Sequence, residues 1–385
     1  ALWLSNRAAK VERRISYLPS PPRLTRFRCV PHLCLIGSPA SNRGREMMTG
    51  TVLVTGGSGY IAGFTIRQLV AEGWTVRTTI RSLAKEQQLR DILDVDNSKL
   101  SVFAADLTSD DGWAEAMQGC THVAHLASPL PDASPKNEDD LIIPARDGAL
   151  RALRFAKEAG VQRVVMTSSM AAIAYGVDRG EYTFSEKDWT NLEHPDVYPY
   201  VKSKTISERA ARDWMDANGG EMEYCSINPS MVLGPILSPD FSTSLEAVKK
   251  MMDGSFPGAP DLGFCVVDVR DVADLHVRAL TAPDMDGERF FAAGKFYKLH
   301  DIAMLLKEKL GDEARKVPTR KLPDWLMKVV AIWDPVARQV KSELGKVRHA
   351  DVSHAKEKLD WQTRDEEVTI IDTARSLIDH GIVKT

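Results

Sequence analysis

The chain has little that would tie it to a membrane, a disulfide scaffold or a metal. No apolar run in its 385 residues approaches the roughly 18 needed to cross a bilayer, so no membrane partner is expected. Five cysteines (Cys29, Cys34, Cys120, Cys225, Cys265) form no C-x-x-C pair and are odd in number, which argues against a disulfide framework. Reduced thiols in a cytoplasmic enzyme are the expectation. There is no G-x-S-x-G nucleophile elbow, no P-loop and no repeat of fixed period. His122 and His125 alternate poorly for shared ligation and His276 has no second ligand at i+4, so no metal is expected.

Basic charge is also scarce where a nucleic acid would need it. Residues 1–49 carry nine basic and two acidic side chains, leaving 41 basic against 51 acidic from Gly50 onward. The net charge of −3 therefore hides an acidic body, which excludes a nucleic-acid partner and leaves any anion to local positive groups. The Arg-, Ser- and Pro-rich stretch 1–49 reads as a disordered tail or a non-native leader ahead of Met47 or Met48, with an organelle transit peptide as the competing reading.

With 43% hydrophobic and 27% charged residues, the remainder has the composition of an ordinary soluble domain. Its most informative run is Val52 to Gly63, where a strand passes into a glycine turn and then an amphipathic stretch, Ile61, Phe64, Ile66, Leu69 and Val70. Such a junction turns bare amides and a helix dipole toward one point, a pyrophosphate site. Gly56 and Gly59 hold the first two glycine positions, and Ala62 the third, where close helix–strand packing is the need.

Strands read at 51–55, 75–80, 100–104, 122–126, 163–167 and 223–227. Helical patterns lie between them at 59–72, 83–93, 111–118, 141–159 and 200–217. The alternation predicts an α/β fold: a doubly wound parallel (Rossmann) sheet over 50–228, with a smaller C-terminal α/β substrate-binding lobe over 229–385 and an interleaved boundary. Helices recur in that lobe at 268–280, 299–310 and 366–379.

Three clusters carry chemistry. The second strand ends in Arg81 with no acid before Glu86, which suits a 2′-phosphate, with Arg77 or Lys85 assisting, and so NADP(H) over NAD(H). Asp106, past the third strand, could accept from an adenine amino group or cap the segment from Asp110. Tyr200 and Lys204 share a helix face, as do Tyr198 and Lys202, and an ammonium beside a phenol is expected to lower its pKa for proton transfer to a carbonyl. Finally, the strand 163–167 delivers Thr167, Ser168 and Ser169 to the sheet edge where a serine could hold a carbonyl oxygen.

Together these elements resemble the extended short-chain dehydrogenase/reductase family, in its dihydroflavonol reductase, cinnamoyl-CoA reductase and aldehyde/ketone reductase branch. The resemblance spans 50–385. It rests on Val54-Thr-Gly-Gly-Ser-Gly-Tyr-Ile-Ala62, Thr79-Ile-Arg81, His125-Leu-Ala-Ser-Pro129, Val165-Met-Thr-Ser-Ser169 and Tyr200-Val-Lys-Ser-Lys204 with Glu208. Asn228-Pro-Ser-Met-Val-Leu-Gly-Pro235, Val267-Asp-Val-Arg-Asp-Val-Ala273 and Leu359-Asp-Trp361 extend it.

The resemblance implies Ser169, Tyr200 and Lys204 as catalytic residues. It implies a cofactor site of Gly56, Gly59, Tyr60, Ile61, Arg81, Lys85, Asp106 and Leu107, completed by Ala127, Ser128, Pro129, Pro229, Met231, Val232 and the Tyr200/Lys204 pair. It further implies NADPH-dependent reduction of a small-molecule aldehyde or ketone by a monomer or homodimer. Pro129, Leu130, Met170, Tyr175, Met231 and Phe264 are candidate pocket residues. The rivals are an NAD-dependent nucleotide-sugar epimerase or dehydratase and a non-catalytic NADP-sensing protein. Met170-Ala171 lacks the Asp-Glu of such dehydratases, and a sensor would be expected to lose the Tyr/Lys pair.

Overall fold

The computed structural model describes residues 50–129, 137–178, 180–239, 242–332 and 341–385. The reading of residues 1–49 and the pocket role of Leu130 lie outside the described residues.

Seven parallel strands form the central sheet: β1 (Thr51–Val54), β2 (Thr75–Ile80), β3 (Leu100–Ala104), β4 (His122–His125), β5 (Arg163–Thr167), β7 (Glu223–Pro229) and β10 (Arg289–Ala292). Their order is β10-β7-β5-β4-β1-β2-β3, so the order reverses between β1 and β4. Ligands of open α/β sheets bind in the crevice at such a reversal. β1 shows why the sheet is central. Val52 and Val54 face one core layer and Leu53 the other, all with no solvent exposure.

On one face pack α1 (Tyr60–Ala71), α2 (Glu86–Leu93) and α7 (Val269–Thr281). On the other lie α3 (Trp113–Met117), α4 (Asp139–Glu158) and α5 (Pro199–Asn218). α3 is shorter than the pattern at 111–118 suggests. Gly112 sits at φ +79 with its α-carbon so near the Ala104 carbonyl that an added Cβ would come within 1.9 Å of the oxygen, and this pinch delays the helix.

Beyond residue 228 the chain returns to the sheet as β10, paired with β7. The chain after residue 228 also forms a three-stranded sheet of β8 (Met231–Leu233), β9 (Gly263–Asp268) and β11 (Phe296–Lys298), together with α6 (Glu246–Met252) and α8 (Leu299–Leu310). A further pair, β6 (Glu181–Phe184) with β12 (Val347–Ala350), joins distant parts of the chain. Trp361 is fully buried and donates through its indole to the Asp271 carbonyl at 2.8 Å, pinning the C-terminal segment to α7.

Candidate active site

The turn after β1 is built for close approach. Gly56 lies at φ +69, where a Cβ would come within 3.1 Å of Ala127 Cα, and its amide donates to Thr79 Oγ1 at 3.0 Å. Gly59 then opens α1, and the first intrahelical bond runs from Gly63 to the Gly59 carbonyl at 3.0 Å. The amides of Tyr60 and Ile61 are left without intrahelical partners, and no acid stands in the first turn to compete for them. This is a fit for a pyrophosphate. The Tyr60 ring packs edge-on against Phe64 at 5.9 Å with its hydroxyl buried and unpaired, so only its main chain faces the turn.

Arg81 follows β2 directly and is exposed, as is Lys85 in the short turn behind it. Arg77 is not available to assist, contrary to expectation. It donates to the carbonyls of Ala116 at 2.8 Å and Glu115 at 2.6 Å, and its guanidinium lies 4.0 Å from the centre of the Phe103 ring. Asp106 neither caps α3 nor stands free. Its carboxylate accepts from the Thr108 amide at 2.8 Å and hydroxyl at 2.6 Å, bonds that hold its pKa below the usual value, with Arg81 contributing. Leu107 packs under Gly148, where a Cβ would come within 3.0 Å of it.

The β4 end is organised by Thr55. Its Oγ1 accepts from the amides of Leu126 (3.0 Å) and Ala127 (2.9 Å), leaving its single proton for His125 Nδ1 at 3.0 Å. The imidazole is thereby a neutral Nε2–H tautomer, and burial, aided by Lys204, pushes its pKa down to about 4. Ser128 receives a 2.6 Å hydrogen bond from Lys204 Nζ. Behind this bond lies a cavity of about 10 Å³ bounded by His125, Ser128, Thr167, Ser168, Lys204 and Ser207, enough for one water at most.

The competing Tyr/Lys pairs separate cleanly. Lys202 reaches away to Glu138 at 2.7 Å, and the Tyr198 ring packs edge-on against Tyr175, with ring centres 6.1 Å apart. The Ser169 hydroxyl stands near enough to the Tyr200 phenol to act on its pKa, and Lys204 Nζ lies 5.7 Å from the Tyr200 ring centre. Ser169 Oγ also accepts from the Ala171 amide at 3.1 Å, which fixes the hydroxyl at the start of a 3-10 turn. The electrostatics, however, differ from expectation. Burial pushes the Tyr200 phenol up, only partly offset by Ser169, and pushes Lys204 down to about 8. Desolvation disfavours both charged forms.

Pro229 ends β7 and Met231 is half-buried beside it, while the Val232 side chain is packed in the core and Val232 pairs with Val267 of β9. Sequence reasoning missed the roles of Thr55, His125 and Arg289. Arg289, on β10, pairs with Glu208 at 2.6 Å, and nothing local in the sequence marks it.

The pattern of the NAD dependent epimerase/dehydratase family matches residues 52–294. The chain belongs to that family. Among its relatives, cinnamoyl-CoA reductase CAD2 of Medicago truncatula is 36% identical over 272 residues, covering 67% of this chain and 80% of the relative. Dihydroflavonol 4-reductase of Hordeum vulgare is 30% identical over 269 residues, covering 68% and 75%. The crystal structure of yeast methylglyoxal/isovaleraldehyde reductase Gre2 complexed with NADPH superposes with a TM-score of 0.71 at 26% identity, covering 86% of this chain and all of that one. For this epimerase/dehydratase family member, the expected resemblance and the doubly wound Rossmann sheet are thus borne out.

Proposed function

We propose that this protein is an NADPH-dependent reductase of a small aldehyde or ketone. The observation that carries the reading is the juxtaposition of the Tyr200 phenol and the Ser169 hydroxyl at the carboxyl edge of the sheet, with Lys204 beside them. The glycine turn, the free amides of Tyr60 and Ile61, and Arg81 after β2 are the groups that would hold NADPH, with Arg81 on the 2′-phosphate. When bound, NADPH supplies the hydride. Ser169 hydrogen-bonds the carbonyl oxygen and orients it. Tyr200, kept protonated by burial, is the acid that delivers a proton to that oxygen. Lys204, which donates to Ser128 at 2.6 Å, would hold the cofactor's nicotinamide ribose when it is bound.

The relatives' names point the same way, being reductases of carbonyl compounds. A dehydratase would need acids after the serine pair, where Met170 and Ala171 are buried. The test is a panel of aldehydes and ketones assayed by NADPH oxidation, with Tyr200→Phe in parallel. That variant should lose at least about a hundredfold in kcat while still binding NADPH. Turnover at the parental rate would refute the assignment.

A further inference from the structure

We propose that Glu208 and Arg289 form a buried clamp that positions Ser169 against Tyr200. The inference rests on the function proposed above and names positioning residues for it.

Glu208 lies on α5, one turn beyond Lys204 and two beyond Tyr200, with no solvent exposure. Its carboxylate accepts from four groups on three other strands or strand ends. These are Ser168 Oγ at 2.5 Å after β5, Ser226 Oγ at 2.8 Å and Asn228 Nδ2 at 2.7 Å on β7, and Arg289 Nε at 2.6 Å on β10. The network reaches the serine by its backbone, because Asn228 Nδ2 also donates to the Ser169 carbonyl at 3.1 Å. Arg289 completes it from the other side. Its guanidinium donates to the carbonyls of Ala172 (3.2 Å), Glu186 (2.8 Å) and Asp188 (2.5 Å), and stacks 3.8 Å from the Trp189 ring centre.

The helix that carries Tyr200 and the turn that carries Ser169 are therefore registered through one carboxylate. A buried carboxylate holds four donors only while it is ionised. Burial alone would raise its pKa, but Arg289, with Arg212 and Ser168, outweighs burial and keeps it below the usual value. The charged and titratable groups that face it are Arg289 from β10, Arg212 from α5 at 3.5 Å and the Tyr224 phenol from β7. A plain fold-stabilising ion pair would need only its partner. Here three further donors lead back to the two catalytic segments.

The experiment compares wild type, Ser168→Ala, Arg289→Met and Tyr200→Phe, measuring kcat, KM, NADPH affinity and the pH profile. The carbonyl used is the one from the panel that wild type turns over fastest. The clamp predicts a drop in kcat of about ten- to a hundredfold for Arg289→Met and a smaller drop for Ser168→Ala, as for any misplacement of a catalytic group by an ångström or less. NADPH affinity should stay within about twofold of wild type, because the phosphate and ribose contacts lie elsewhere. Arg289→Met should also gain an acid limb in kcat, recovering as pH rises, because Glu208 without its main cation protonates more readily.

Wild-type kcat and pH profile in both clamp variants, with only a lower melting temperature, would overturn the clamp. A readout independent of turnover is the crystal structure of Ser168→Ala, the milder variant should Arg289→Met not fold. The clamp requires the separation of the Ser169 and Tyr200 hydroxyls to grow there relative to a wild-type crystal structure, and an unchanged separation overturns it even if no substrate is found. Full activity in Tyr200→Phe would instead sink the proposed chemistry and leave the clamp to be decided by that crystal structure.

Discussion

Replacing Lys204 by methionine should stabilise the protein while abolishing its turnover. Lys204 is 8% exposed, and burial holds its pKa at about 8 against an ordinary 10.5. A cation whose folded pKa is depressed binds fewer protons in the native state than in the unfolded chain between those two values. Stability of the wild type therefore rises with pH across that window, and below pH 8 the full penalty of burying the ammonium is present. At 1.36 kcal/mol per unit, a depression of this size is worth about 3 kcal/mol. Methionine fills similar volume without charge, and what it forfeits is the 2.6 Å charge-assisted bond to Ser128, about 1.5 kcal/mol. The expected net gain at pH 7 is about 2 kcal/mol, shrinking toward zero or reversing as the pH approaches 10.5. Urea unfolding of both proteins at a series of pH values, without cofactor, measures the difference directly. A Lys204→Met variant that is less stable than wild type at pH 7, or whose difference does not change with pH, would refute the reasoning.

Two more perturbations test the cofactor cradle. Arg81→Ser should raise KM for NADPH about ten- to a hundredfold by removing charge-assisted bonds to the 2′-phosphate, and leave NADH kinetics nearly unchanged. Equal effects on both cofactors in steady-state kinetics would show that Arg81 does not read that phosphate. Gly56→Ala should destabilise the apo protein by about 1–2 kcal/mol, since Gly56 has φ +69 and a methyl group would press on Ala127 at 3.1 Å. It should weaken NADPH binding as well, and an unchanged urea midpoint together with unchanged affinity would contradict the close approach.

The parts of this site that were legible in the sequence are those written within a few residues. The turn from Val54 to Ala62 is local, since strand, glycines and helix follow one another and their backbone conformations are set by near neighbours. The same holds for Tyr200, Ser203 and Lys204, whose spacing on one helix needs no tertiary information, and β1, β4 and β5 read clearly because burial on both faces makes them short, largely apolar runs. Which of two Tyr/Lys pairs comes to stand beside Ser169 was not local. It depends on where α5 docks, which turns Lys202 to Glu138 and Lys204 to Ser128. The position of β10 was equally hidden, because its pairing with β7 follows an excursion of some sixty residues of chain, from Pro229 to Arg289.

The electrostatic character of the pair was beyond the sequence for a deeper reason. Spacing shows that an ammonium and a phenol share a helix face, and from that alone attraction should lower the phenol's pKa. Desolvation depends on every element that covers the pair, from the β4 end to the turn after β5, and here it wins, leaving Tyr200 protonated and Lys204 near its titration point. An acid that must give up its proton only in the transition state gains from being neutral at rest, so the outcome suits carbonyl reduction better than the expected lowering would have done. Arg289 follows the same logic at longer range. It stands 81 residues from Glu208, in a strand that looks unremarkable by itself, and acquires its meaning only once the fold has brought four donors to one buried carboxylate. Local motifs announce which groups can react; the non-local packing around them decides in what charge state they wait.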